Sequence, residues 1–344
     1  MFPMQTNRIR TARRLRRIDP RRGLLGSSMR RTLLLAGLVL GLAVIPAGAA
    51  EARTAIRIGI GDQQISMFDQ PLFQRAKFKR VRYFIPWNAM SDPGRLAAAD
   101  AYVRRARTAG MSVFLHISSD NLEIKKAKLP SVDAYRSQMR RLVPHFRALG
   151  VREFGTWNEA NHASQPTYRS PTRAASFFKV MYQEVKTRCR SCGVVALDVL
   201  DQRGVDRYMR SFYRALSRTY RRRASLVGIH NYGDVNRRRT TYTRLMITQA
   251  RHYNRSTRFW FTETGGIVKF GSNFPCSTER AKSRLRNMFD LAKRFRSVGV
   301  GRVYVYNFTG AGCSARFDAG LTNPDGTARP GYTYLRSKLR DYLR

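Results

Sequence analysis

Eight short apolar runs, each followed by a stretch with helical spacing of its apolar residues, organise the chain from residue 56 to residue 342. The runs are Ile56–Ile60, Val81–Pro86, Ser112–His116, Phe154–Trp157, Val194–Leu200, Leu226–His230, Arg258–Thr262 and Val303–Asn307. The helical stretches are Pro71–Phe78, Gly94–Ala109, Ser131–Leu149, Thr172–Arg188, Val205–Thr219, Thr240–Tyr253, Ser277–Ser297 and Tyr332–Tyr342, with Gly110 and Gly150 placed as C-caps. Such alternation is the pattern of a parallel sheet wound with helices. Eight repeats predict a closed (β/α)8 barrel of the TIM type, and 344 residues exceed the roughly 250 that such a barrel needs. An open doubly wound sheet is the alternative, but no Gly-x-Gly-x-x-Gly turn follows the first run. No internal repeat or Gly/Ser-rich linker divides residues 51–344, which read as one domain.

Residues 29–50 differ in kind. Met29-Arg30-Arg31 is a basic flank, Thr32 to Ile45 is apolar, and Pro46-Ala-Gly-Ala-Ala50 supplies small residues, which together read as a secretory signal peptide. An uncleaved membrane anchor is the alternative, since the apolar stretch approaches the ~20 residues that span a bilayer. The twin arginine leaves the export route open between the general and twin-arginine pathways. Residues 1–28 are arginine-rich without an apolar face, so Met29 competes with Met1 as the true start. A secreted protein, free of the membrane once its signal is cleaved, is expected.

Ten basic residues and one acid, Asp19, fall within residues 1–50, which leaves +34 on the remainder of a chain whose formal charge is +43. A field of this sign favours anionic partners such as an acidic cell-wall polymer. The arginines are dispersed over helical stretches without a zinc-finger or RNA-recognition signature, which argues against specific nucleic-acid binding. Four cysteines in an exported chain point to disulfides, and the pairs expected are Cys189 with Cys192 and Cys276 with Cys313. Cys189-Arg-Ser-Cys192 alone is half of a zinc site, and the second close pair is missing. No metal and no organic cofactor are expected, and the protein reads as a monomer.

Two of the runs end on acids. Glu153-Phe-Gly-Thr-Trp-Asn-Glu159 closes the fourth, and Arg258-Phe-Trp-Phe-Thr-Glu263 closes the seventh before a Gly-Gly pair. Barrel chemistry sits at the C-terminal ends of strands, and two carboxyl groups there are what glycosidic hydrolysis requires. Arg82 lies inside the second run, where a guanidinium is costly unless it meets a partner; an outward-facing arginine is the plainer option. Trp87, Trp157 and Tyr306 stand near strand ends, where aromatic rings can stack on sugar faces. Trp260 alternates out of phase with Glu263 and is expected to pack under a helix. His116 is divided between sugar contact and packing.

Trp157-Asn158-Glu159 with Thr262-Glu263 resembles the paired motifs of the clan A glycoside hydrolases, which are retaining (β/α)8 enzymes, with families 39 and 5 the closest in character. The resemblance implies Glu159 as acid/base and Glu263 as nucleophile, an assignment that spacing alone does not give. It implies further that Arg82 keeps the nucleophile ionised and that Asn158 bonds the sugar 2-hydroxyl. In His230-Asn-Tyr232 it implies that Tyr232 donates to the nucleophile and His230 borders the acid/base. Tyr304-Val-Tyr306-Asn307 departs from the clan, which commonly has a tryptophan on the eighth strand. The expected function is a secreted retaining hydrolase of a polysaccharide or glycoconjugate. A non-catalytic barrel that binds an anionic cell-wall polymer is the alternative, but it has no need of Glu159, Glu263, Asn158 and Tyr232 together.

Overall fold

The computed structural model describes residues 55–121, 126–339 and 341. The basic leader, the signal-like segment 29–50 and the predicted end of the last helix at Tyr342 lie outside the described residues. Strands and helices alternate in the order β1 (Arg57–Gly61), α1 (Pro71–Ala76), β2 (Arg80–Pro86), α2 (Pro93–Thr108), β3 (Ser112–Ser118), α3 (Val132–Ala148), β4 (Glu153–Gly155), α4 (Pro171–Arg188), β5 (Gly193–Val195), β6 (Leu197–Leu200), α5 (Val205–Arg214), α6 (Arg218–Arg223) and β7 (Leu226–His230). They continue through α7 (Tyr232–Arg237), α8 (Thr241–Tyr253), β8 (Arg258–Thr264), β9 (Lys269–Phe270), α9 (Thr278–Arg294), β10 (Val300–Tyr306), β11 (Phe317–Asp318) and α10 (Pro330–Leu339).

The parallel sheet runs β5-β4-β3-β2-β1-β10-β8-β7-β6. It is the predicted TIM barrel, with one correction. The fifth run is two strands, because the chain changes partner at Ala196: Thr156 N–H donates to the Val195 carbonyl at 3.1 Å, whereas Ala196 N–H donates to the Leu226 carbonyl at 2.9 Å. That change of partner closes the barrel. One predicted helix, Val205–Thr219, is also divided into α5 and α6, with Ser217 capping α6 by accepting from Tyr220 N–H; the predicted Thr240–Tyr253 helix stands as α8, and α7 is a short additional helix before it. Elsewhere Asp92 and Ser131 cap α2 and α3, and Pro93 occupies the first turn of α2.

The inward side chains fall into two layers. Below, Phe114, Val195, Leu226, Tyr304 and Trp260 form an apolar plug. Trp260 therefore lies inside the barrel, not under a helix. Between Gly228 and His230 of β7, the neighbouring β8 runs from Trp260 to Glu263, one residue more, so a bulge resets the alternation and both side chains face in. Arg302 stacks on the Trp260 ring at 3.8 Å and pairs with Glu153, which keeps a buried guanidinium satisfied at the foot of the plug. Above the plug the interior turns ionisable, and glycines make the room. A Cβ at Gly155 would sit 2.1 Å from the His116 ring, and one at Gly228 would sit 2.0 Å from Asp198 Oδ2.

At the rim, Asp62 after β1 accepts from Phe308 and Thr309 N–H at 3.1 and 2.8 Å, fastening the first strand end to the last. The loops after β8 and β10 meet in the antiparallel pair β9–β11, beside the Cys276–Cys313 disulfide, and Arg329 grips Asp318 with two hydrogen bonds of 2.9 and 2.8 Å. Cys189 and Cys192 form the other disulfide. By loop-closure entropy the Cys276–Cys313 bridge, with a separation of 37, contributes about 4 kcal/mol, and Cys189–Cys192, with a separation of 3, about 2 kcal/mol. Denaturant unfolding of the two double Cys→Ser variants should show that order, with the larger loss for the Cys276 pair.

Candidate active site

Glu159 and Glu263 reach the top of the barrel by different devices. After β4 the backbone of Asn158 donates to the Ile117 carbonyl at 2.7 Å, then Glu159 N–H donates to Asp198 Oδ1 at 3.2 Å and Ala160 N–H to the Asp198 carbonyl at 2.9 Å. These bonds hold Glu159 at φ 44°, in the left-handed region that a residue with a side chain occupies only when its surroundings fix it. Glu263 owes its inward position to the bulge in β8.

An oxygen of Glu159, a ring nitrogen of His230 and an oxygen of Glu263 all lie within 4.8 Å of one another. Arg82 organises the floor. It donates from Nη1 to Glu263 Oε2 at 2.7 Å, from Nη2 to Asn158 Oδ1, and from Nε to His116 Nδ1 at 3.3 Å. Tyr232 donates its hydroxyl to Glu263 Oε1 at 3.3 Å. His230 is fully buried, with Nδ1 3.1 Å from Glu159 Oε1 and Nε2 2.9 Å from Asp198 Oδ1.

The electrostatics follow from this packing. Burial alone would lower His230, but Asp198 and Glu263 hold it up at about 10. Against the cost of burial, the His230 imidazolium holds Asp198 well below the usual carboxylate range. Burial raises Glu159, yet its contact with His230 wins and leaves it below its ordinary value; burial leaves Glu263 raised in spite of His230 and Arg82. This order is the reverse of the one that the implied roles require. The dedicated partners argue for the roles, because a permanent cation at 2.7 Å and a hydroxyl donor serve Glu263 only while it is an anion.

His116 is pushed down to about 3 by burial, with Arg82 adding to the effect. A histidine held neutral in the fold costs stability as pH falls, because the unfolded chain binds the proton from about 6.5 downward. The wild type should lose about 1.4 kcal/mol per pH unit from this group between about 6.5 and 3. Chemical denaturation of wild type and His116→Gln at pH 7 and pH 4 should therefore give a stability difference that moves in favour of the variant by about 3 kcal/mol at the lower pH.

The predicted residues divide on inspection. Arg82, Asn158, Glu159, His230, Tyr232 and Glu263 come together. His116 is fully buried under Arg82 and packs rather than facing a sugar. Trp157 is 1% exposed, stacks on Phe177 at 5.1 Å and bonds Gln165, so it supports β4 from behind and offers no sugar platform. Trp87 and Tyr306 are half-buried at the ends of β2 and β10. Asp198 was not anticipated. It is fully buried, faces His230, binds Thr262 and supports the Glu159 backbone. Its signal was present in Val194-Val-Ala-Leu-Asp-Val-Leu200, where one acid interrupts an apolar run.

A closed barrel with facing carboxyl groups at the ends of its fourth and seventh strands has the layout of the catalytic barrel of glycosidases. A family model described as glycosyl hydrolase catalytic core matches residues 143–330, more than half of the chain, and the protein belongs to that family. It is a glycosidase by that membership. No curated protein matches it by sequence. Among solved structures it is similar to a GH5_18 protein from Bifidobacterium longum in complex with Manb1-4GlcNAc, with 13% identity, a TM-score of 0.61 and coverage of 84% of this chain and 78% of that one. A GH39 β-xylosidase from Caulobacter crescentus aligns with 16% identity, a TM-score of 0.59 and coverage of 84% and 72%. Fungal β-1,4-galactanases align with 13% identity, a TM-score of 0.61 and coverage of 82% and 99%. These likenesses show the same barrel in families 5 and 39, the two anticipated from the motifs.

Proposed function

We propose that the protein is a secreted retaining glycosidase that cleaves a polysaccharide or glycoconjugate, with Glu263 as nucleophile and Glu159 as acid/base. The observation that carries this reading is the approach of one oxygen of each carboxyl group to within 4.8 Å, with Arg82 and Tyr232 committed to Glu263. A retaining pair stands about 5 to 5.5 Å apart, whereas an inverting pair leaves about 6.5 to 9.5 Å for a water.

In the first step a Glu263 oxygen attacks the anomeric carbon as the glycosidic bond breaks, and the proton of Glu159 goes to the leaving oxygen. In the second, Glu159 takes a proton from water, the hydroxide attacks the same carbon, and the bond to Glu263 breaks. Asn158, fixed by Arg82, is placed to bond the 2-hydroxyl. The signal-like segment and the two disulfides support export, and the charge of +34 beyond residue 50 supports an anionic polymer as a further partner. The relatives' mannoside, xyloside and galactan names define the first substrates to screen. Proton NMR of the first-formed product decides the mechanism: the β anomer from a β-glycoside is expected, and initial release of the α anomer would overturn retention.

A further inference from the structure

A row of aromatic rings leads from Glu263 out to solvent. Tyr232, which donates to Glu263, meets Phe317 edge-on at 5.8 Å; Tyr306 lies 6.4 Å from the same ring, tilted by 32°; and Phe270 meets Phe317 edge-on at 5.8 Å. Phe270 is 39% exposed. Among the described residues the exposed large apolar side chains are Ile65, Tyr168 and Phe270, and all three stand on segments that follow β1, β4 and β8, the face that carries the carboxyl pair.

Phe270 is held in place although exposed. It pairs with Phe317 across β9–β11, exchanges backbone hydrogen bonds with Phe274 at 3.0 and 3.1 Å, and stands near the Cys276–Cys313 bridge in sequence and in the fold. Phe317 adjoins Asp318, which Arg329 fixes. An ordered apolar ring facing water beside a cleft is the arrangement that receives the C–H face of a pyranose. Phe270 stands outward of the ring that meets Tyr232, so a sugar on it is a further unit of a chain and not the one held at Glu263.

We propose that Phe270, held by the β9–β11 pair and braced by Phe317, is a sugar platform that stacks on a pyranose unit outward from the unit held at Glu263. This rests on the glycosidase reading, and it makes the substrate an oligomer or polymer that gains affinity with length. The test compares an aryl β-glycoside with manno-, xylo- and β-1,4-galacto-oligosaccharides from dimer to hexamer, using whichever series is hydrolysed. In the wild type, kcat/KM should rise with length; Phe270→Ala should remove about tenfold of that gain on the longest oligomer and change the aryl glycoside less than twofold, and Phe270→Trp should restore it. An unchanged length dependence in Phe270→Ala, or none in the wild type, overturns the platform. If the wild type hydrolyses nothing, the glycosidase reading fails on its own. Calorimetric titration of wild type and Phe270→Ala with soluble mannan, xylan and galactan then decides the platform: binding lost in the variant supports it, and equal or absent binding overturns it.

Discussion

Replacing Glu263 with alanine should abolish turnover of every glycoside, because no other group can form the bond to the anomeric carbon. Glu159→Ala should behave differently. Hydrolysis of glycosides with poor leaving groups should fall by about 10²- to 10⁴-fold, the usual worth of a positioned acid, while formation of the glycosyl-enzyme from an activated aryl glycoside should be spared. Azide, which attacks without a general base, should then restore turnover and yield a glycosyl azide of retained configuration in the Glu159 variant alone. A glycosyl azide of retained configuration from the Glu263 variant and an inverted one from the Glu159 variant, or full activity of both on polymer, would reverse or remove the assigned roles.

The second large effect is expected at Arg82. Its guanidinium is 1% exposed and joins Glu263, Asn158 and His116, so no surface charge can stand in for it. In Arg82→Met, burial and the neighbouring Glu159 push Glu263 further up, with the guanidinium no longer there to help His230 and the Tyr232 hydroxyl oppose them. The acidic limb of the kcat/KM profile should move to higher pH, since the nucleophile must be ionised to attack. Folding stability near pH 7 should fall by about 3 to 5 kcal/mol, the cost of removing one member of a buried pair. A variant with an unmoved acidic limb would show that Arg82 is structural only. Arg82→Lys keeps a charge but loses the fork, and should recover part of the pH profile without the Asn158 contact.

These effects explain which parts of the site were legible in the sequence. Arg82 stood out because a charge inside a strand demands a buried partner, and Glu159 and Glu263 stood out because they end strands. Asp198 obeys the same rule as Arg82 and could have been found by it, since its strand is otherwise apolar. Trp260 could not have been placed by counting, because alternation assumes that every residue of β8 advances the strand by one step, and the bulge breaks that assumption. The division of the fifth run at Ala196 left no mark either, for the run stays apolar across the change of partner. The β9–β11 pair escaped because two-residue strands are too short for any pattern, and they meet only through the fold.

The bulge in β8 also bears on how such a site can be lost. Whether Glu263 faces the cleft is a matter of odd or even count between the plug and the strand end, fixed by one surplus residue against His230 and its neighbours. Removing Phe261 would leave every side chain of the site chemically intact and would turn the nucleophile outward, or drag the plug out of the barrel to keep it in. Active and inactive barrels can therefore differ by length at one point on a strand while carrying the same motifs on either side of it. An Asn-Glu and a Thr-Glu in a sequence specify the groups; the spacing behind the second one specifies whether they meet.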